Sequence, residues 1–197
     1  MSQTIGNGAP VSAPVSKPRK GFKVEPVQEL SVFLTVKPGR EQLVREVFTS
    51  ADAAEKARQN QAIADVGTLH HARYVLFDND RRLLVATVFD GDWDVYIGDF
   101  AAGYILDAWD QFLRHCEGYP DEGWRAASLT VDEVKDYLTR YQVTALDAYM
   151  DYPGVTTTEI KQALRVQAAF QQALDAPGAA EALQHPAMKP LLDAAAD

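Results

Sequence analysis

Gly67-Thr-Leu-His-His-Ala-Arg-Tyr-Val-Leu-Phe77 and Arg82-Leu-Leu-Val-Ala-Thr-Val-Phe89 flank the short segment Asp78-Asn79-Asp80, and this stretch decides the fold. Both runs are rich in β-branched and aromatic residues, and the first alternates around Leu69, Val75 and Phe77, as a strand with one buried face does. Asp and Asn tolerate the tight backbone of a turn. Two such runs joined in this way predict an antiparallel hairpin. Leu, Val and Phe occur at both parities in the hairpin, so neither face of the resulting sheet is expected to be fully solvated.

Working outward, Leu30-Ser-Val-Phe-Leu-Thr-Val36 reads as a strand with Val32, Leu34 and Val36 on one face and Ser31, Phe33 and Thr35 on the other. Pro38 and Gly39 then open a helix expected to run to about Ile63, with Leu43, Val47, Ala51 and Ala54 at helical spacing. On the far side of the hairpin, Asp90-Gly-Asp92 is suited to capping a helix that carries Trp93, Ile97, Phe100, Tyr104, Ala108 and Phe112 and stops before Gly118 and Pro120. Thr130-Val-Asp-Glu133 has capping-box spacing for a short helix to about Tyr141. Val143 to Tyr149 reads as a final strand, although Ala and Asp are poor strand residues. Thr156-Thr-Thr-Glu159 is a second capping box, opening a helix through Ile160, Leu164 and Phe170 to near Pro177. Short helical turns are expected after Ala179.

Strand, helix, hairpin, helix, strand is the β-α-β-β-α-β order of a ferredoxin-like domain, an α+β fold with an antiparallel sheet. The expected layout is a disordered arm over residues 1–27, the ferredoxin-like domain over 28–175 and a C-terminal helical extension over 176–197. Pro10, Pro14, Pro18 and Pro26 recur in the arm among small and polar residues too poor in apolar bulk to offset ordering entropy. Its one basic cluster, Lys17, Arg19, Lys20 and Lys23, is read as solvated tail or as a docking arm for an acidic partner or a neighbouring subunit. Two long helices can cover one sheet face. A second copy is expected on the other, giving a homodimer around a shared barrel.

Composition narrows the partners. With 28 acidic against 19 basic residues the net charge is -9, so nucleic acid and anionic membrane surfaces are disfavoured. A single cysteine, Cys116, excludes an intramolecular disulfide framework and a Cys-rich zinc site. No apolar run approaches the length that spans a bilayer, and Met1 to Pro14 lacks the apolar core of a secretory signal, so the expectation is a cytoplasmic protein.

Chemistry is sparse. His70 and His71 are adjacent in a strand, so regular geometry sends them to opposite faces and one of them is free to enter a cavity as a proton donor or acceptor. Arg73, if buried, needs a carboxylate, and Asp90 is the nearest in sequence. Asp90, Asp92, Asp94 and Asp99 form an acidic run without the spacing of a calcium loop, and helix capping accounts for it. Cys116 beside His115 lacks an identifiable orienting group and is expected to be buried. There is no Gly-rich phosphate loop, no G-x-S-x-G elbow and no H-E-x-x-H pair.

Three segments carry a resemblance: Gly67 to Leu76; Val88-Phe-Asp-Gly-Asp-Trp-Asp94 with Phe100; and Tyr149-Met-Asp-Tyr-Pro-Gly-Val-Thr-Thr157. They resemble a bacterial group of the dimeric α/β-barrel superfamily, which includes dye-decolorising peroxidases, chlorite dismutases, cofactor-free monooxygenases of antibiotic biosynthesis and small isomerases. Against the G-x-x-D-G motif of the peroxidases, Thr87-Val-Phe-Asp90-Gly91 matches at Asp90 and Gly91 and departs at Thr87. Such peroxidases also carry two ferredoxin-like units, and this chain has room for one. The resemblance implies a small organic ligand in a cavity on the open sheet face, lined by Phe33, Thr35, Trp93, Tyr96, Tyr104 and Tyr149. Oxygenation or isomerisation there would use His70 or His71 as base, with Arg73 and Asp90. The alternatives are a haem protein with a histidine axial ligand, or a non-enzymatic accessory protein that docks a partner.

Overall fold

The computed structural model describes residues 23–50, 52–102 and 105–196. Four strands form one antiparallel sheet in the order β1-β2-β4-β3. The short edge strand β1 is Lys23–Val24, and the long strands are β2 (Val27–Thr35), β3 (Leu69–Phe77) and β4 (Arg82–Asp90). The hairpin forms as the sequence predicts, and Asp78, Asn79 and Asp80 all adopt positive φ, a conformation Asn and Asp enter more readily than most residues. Arg45 pairs with Asp80 and fastens the turn to the helix layer.

Register explains the two faces. Val32 stands opposite Val85 and Phe33 opposite Leu84, which in turn faces Val75. Leu30, Val32, Leu34, Leu83, Val85 and Phe89 are thus brought to one face, where all are buried. Each such side chain contributes ~1.5–3 kcal/mol when fully removed from water. Helices cover that face: α1 (Glu41–Thr49), α2 (Ala53–Val66), α3 (Trp93–Ala102), α4 (Ile105–Leu113) and α5 (Val131–Tyr141). Val44, Trp93, Ile97, Leu106, Leu113, Val134 and Leu138 complete the core. The chain continues through α6 (Thr157–Leu174), α7 (Ala179–Leu183), a 3-10 turn at Pro186–Met188 and α8 (Lys189–Ala196).

The mixed α+β class stands, with three departures in detail. The helix expected from Gly39 to Ile63 is two helices, because Asp52 accepts from the Glu55 N–H and starts a new one. Val44 is the buried residue of α1, and Leu43 is turned outward. Of the long helix expected from Trp93 to Phe112, the described residues form α3 and α4. Most consequential, Val143 to Tyr149 is not a strand. Gln142 bridges Val32 and the Val143 N–H donates to Ser31 O, but the Glu29 carboxylate then takes the Ala145 N–H, so the ladder stops after one rung. Beside β2 the sheet is extended instead by Lys23 and Val24, residues assigned from the sequence to the arm. The rest of the arm expectation, residues 1–22 with Lys17, Arg19 and Lys20, lies outside the described residues, as do Ala51 and Tyr104. Among the described residues no helix is long and apolar enough to cross a membrane.

Candidate functional site

A cavity of about 150 Å³ lies between α1, α2, α4 and β3, on the helix-covered side of the sheet. Its walls follow from simple periodicities. Ile105, Ala108, Trp109 and Phe112 share one side of α4 by helical spacing, and Tyr74 points to the helix layer because it pairs with Val85 across the hairpin. Phe48 closes one end from α1, and Ile63 with Gln59 and Asn60 closes the other from α2. Phe48 stacks on Tyr74 at 4.9 Å between ring centroids and meets Phe112 at 5.4 Å; Tyr74 meets Phe112 edge-on at 5.7 Å. The Trp109 indole packs 6.0 Å from the Phe112 ring and donates its N–H to Tyr74 Oη at 3.0 Å.

This arrangement limits the chemistry. Among the described residues the lining has no carboxylate, imidazole, amine or thiol. Burial raises the Tyr74 pKa above its ordinary value of 10.0, so the phenol keeps its proton. Its oxygen accepts from the Trp109 indole N–H. The Gln59 and Asn60 amides supply the polar rim. Four aromatic walls, one phenol and an amide rim suit binding of a ring-sized apolar molecule.

The residues singled out from the sequence are not gathered there. His70 lies in a bulge of β3, and its Nε2 is 2.6 Å from Asp90 Oδ1. Asp90 Oδ2 accepts the Thr157 N–H at 2.7 Å, and Thr157 Oγ1 donates to Thr68 O. Asp90 is therefore partnered by His70 and by the first turn of α6, not by Arg73, which is exposed together with His71 on the open face. Asp92 is the residue that caps α3, accepting from Asp94 N–H.

Of the expected ligand contacts, Phe33 and Thr35 are on the open face, whereas Trp93 and Tyr96 are buried on the opposite side, Tyr96 stacked on Phe89. Tyr149 is 89% exposed and borders a groove of about 90 Å³ with Val27, Glu29 and Val88. The sheet separates the expected set into two groups. A third, open groove of about 270 Å³ runs beside Tyr119, Tyr137 and Arg140 and has a charged rim.

The remaining polar clusters hold loops. Asp110 accepts from the Trp124 N–H at 2.8 Å, from Tyr119 Oη–H at 3.0 Å and from Arg114, pinning residues 119–124 to α4. Asp107 takes both Arg125 and the Trp124 indole, which holds its carboxyl below the usual range. Cys116 is buried, its thiol pushed up to about 12, and it makes no nucleophile at neutral pH. Among the described residues no group of three or more His, Cys, Asp or Glu side chains is placed to hold a metal. Set beside known proteins, the chain matches no family model, no curated protein and no solved structure.

Proposed function

We propose that the domain binds a small aromatic molecule bearing one hydrogen-bond acceptor, in the cavity between α1, α2, α4 and β3. The observation that carries this reading is the half-buried Tyr74 phenol, fixed by Trp109 in the wall of a cavity of about 150 Å³ lined by aromatic rings. An apolar cavity of such size holds one benzene-like ring. Dispersion and apolar transfer supply affinity, while the phenol selects a carbonyl or ether over a hydrocarbon. The reading is of binding, because among the described residues no acid or base lines the cavity and His70 is turned to Asp90 at the end of the sheet. The order β2-β4-β3 with intervening helices supports a ferredoxin-like architecture in which β1 and Gln142 take the place of the fourth strand.

Thermal unfolding in the presence of acetophenone, toluene and cyclohexane tests the proposal. At tenfold excess over its dissociation constant a ligand adds about 1.4 kcal/mol, which raises Tm by ~3–5 °C for a chain of this length. The order acetophenone above toluene above cyclohexane is expected, with the first gap closed in Tyr74→Phe. Equal shifts for all three, or none, would remove the reading.

A further inference from the structure

Of the elements around the cavity, α2 is the one least tied to the rest of the domain. The buried Val44 and the Arg45–Asp80 pair hold α1. Ile105, Leu106, Trp109, Phe112 and Leu113 bury one side of α4, and β3 is laddered to β4 along its length. Among the described side chains of α2 none is buried. Ala62, Ile63 and Val66 lie half-buried against the core, and Gln59 and Asn60 form the rim of the cavity.

The polar side chains of α2 pair along the helix. Arg58 and Gln59 reach Glu55, and Gln61 reaches Asp65, each within about one turn. Asp52 caps the first turn by accepting the Glu55 N–H. Five of the 14 residues are Ala, and Glu, Lys, Arg and Gln fill most of the rest, so this helix depends less on tertiary packing than its neighbours do. These bonds travel with the helix and are not broken when it leaves the core.

Just beyond its end the chain is fixed. Gly67, the C-cap, has a φ of 75°, the left-handed conformation that favours glycine. The carbonyl of the next residue, Thr68, accepts from the Asp90 N–H at 2.9 Å and from Thr157 Oγ1 at 3.2 Å. A lightly held helix thus meets an anchored strand at a single glycine, which is where a hinge absorbs rotation.

We infer that α2 is a hinged wall of the cavity, which swings out about Gly67 to admit the ligand and is held shut once the ligand is bound. This rests on the cavity being a ligand site. Outward movement of Gln59, Asn60 and Ile63 widens access to Tyr74, Trp109 and Phe112, while α1, α4 and the sheet stay in place. A ring seated among the aromatic walls loses its contact with Ile63 when α2 opens, so binding and closure favour each other.

Native-state hydrogen exchange on the full chain tests this, without ligand and with acetophenone. In the free chain the protection of the α2 amides is expected to be about 100-fold lower than that of the α4 amides, with little dependence on urea, as for an opening that exposes little surface. Acetophenone at tenfold excess over its dissociation constant should slow α2 exchange about tenfold, the factor by which a ligand lost on opening suppresses the open state. Equal protection of α2 and α4, with the same urea dependence, would mean that the helix leaves only on global unfolding and would refute the hinge. Acetophenone that raises Tm while α2 exchange stays the same would equally overturn it. If acetophenone gives no Tm shift the cavity reading fails, and the free-chain comparison alone decides the hinge.

Discussion

The Trp109 indole on α4 donates to the Tyr74 phenol on β3 at 3.0 Å, across the floor of the aromatic cavity. This bond joins the helix layer to the edge strand of the sheet, and it orients the phenol in the cavity wall. Tyr74→Phe keeps the ring contacts to Phe48 and Phe112 and removes only the oxygen. It is expected to cost about 1–2 kcal/mol in urea unfolding, the usual cost of depriving a buried donor of its acceptor. A loss below ~0.3 kcal/mol would mean that the bond does not order the cavity floor.

Asp110 is a larger structural node. Asp110→Ala deprives the Trp124 N–H, the Tyr119 hydroxyl and Arg114 of a common acceptor. A destabilisation of about 2–4 kcal/mol is expected, since each buried donor left behind costs ~1–3 kcal/mol and Arg114 can turn to water. Limited proteolysis should then cut first between Tyr119 and Arg125.

Asp90 anchors the start of α6. In Asp90→Ala, hydrogen exchange at the Thr157 amide should accelerate at least tenfold, with a global loss of about 1 kcal/mol, as for loss of a helix cap. Protection of the α4 amides should be unchanged, because the cavity lies elsewhere. Unchanged exchange at Thr157 would assign the His70–Asp90 contact no role in holding the helix.

His115 sets a pH dependence. Burial, then the positive charges of Arg40, Arg114 and Lys37, hold its pKa below the ordinary value of 6.5, with Asp121 opposing. The folded state therefore binds a proton at this site less readily than the unfolded chain. Its contribution to stability is complete above about pH 6.5 and is lost as pH falls through the folded value. Urea midpoints at pH 7.5 and pH 5.5 should differ less in His115→Gln than in the parent chain. An equal difference in both would place the pH dependence elsewhere.

The local signals that proved legible are those with a backbone mechanism. The capping box of Thr130 and Glu133 marks α5, and that of Thr156 and Glu159 marks α6, because each pair satisfies specific N–H groups. The turn at Asp78 to Asp80 is marked because few residues accept three positive φ angles in succession. Val143 to Tyr149 misled because the outcome rests on a tertiary partner, the Glu29 carboxylate, that local propensity does not register.

The cavity was hidden for a different reason. Phe48, Tyr74, Trp109 and Phe112 come from separate elements, and each reads as an ordinary core aromatic. The available clue was the spacing of Ile105, Trp109 and Phe112 opposite a tyrosine on a helix-facing strand position. His70 and Asp90 drew attention through their chemistry, and together they hold the first turn of a helix.

The position of a bound ligand is read most directly from intermolecular NOEs between acetophenone and the isotopically labelled full-length chain. Contacts are expected from its ring protons to the methyl groups of Ala108, Ile63 and Ile105, and they should disappear in Ala108→Phe. Contacts to the methyls of Val75 or Val88 on the open face, or persistence of binding in Ala108→Phe, would contradict that placement.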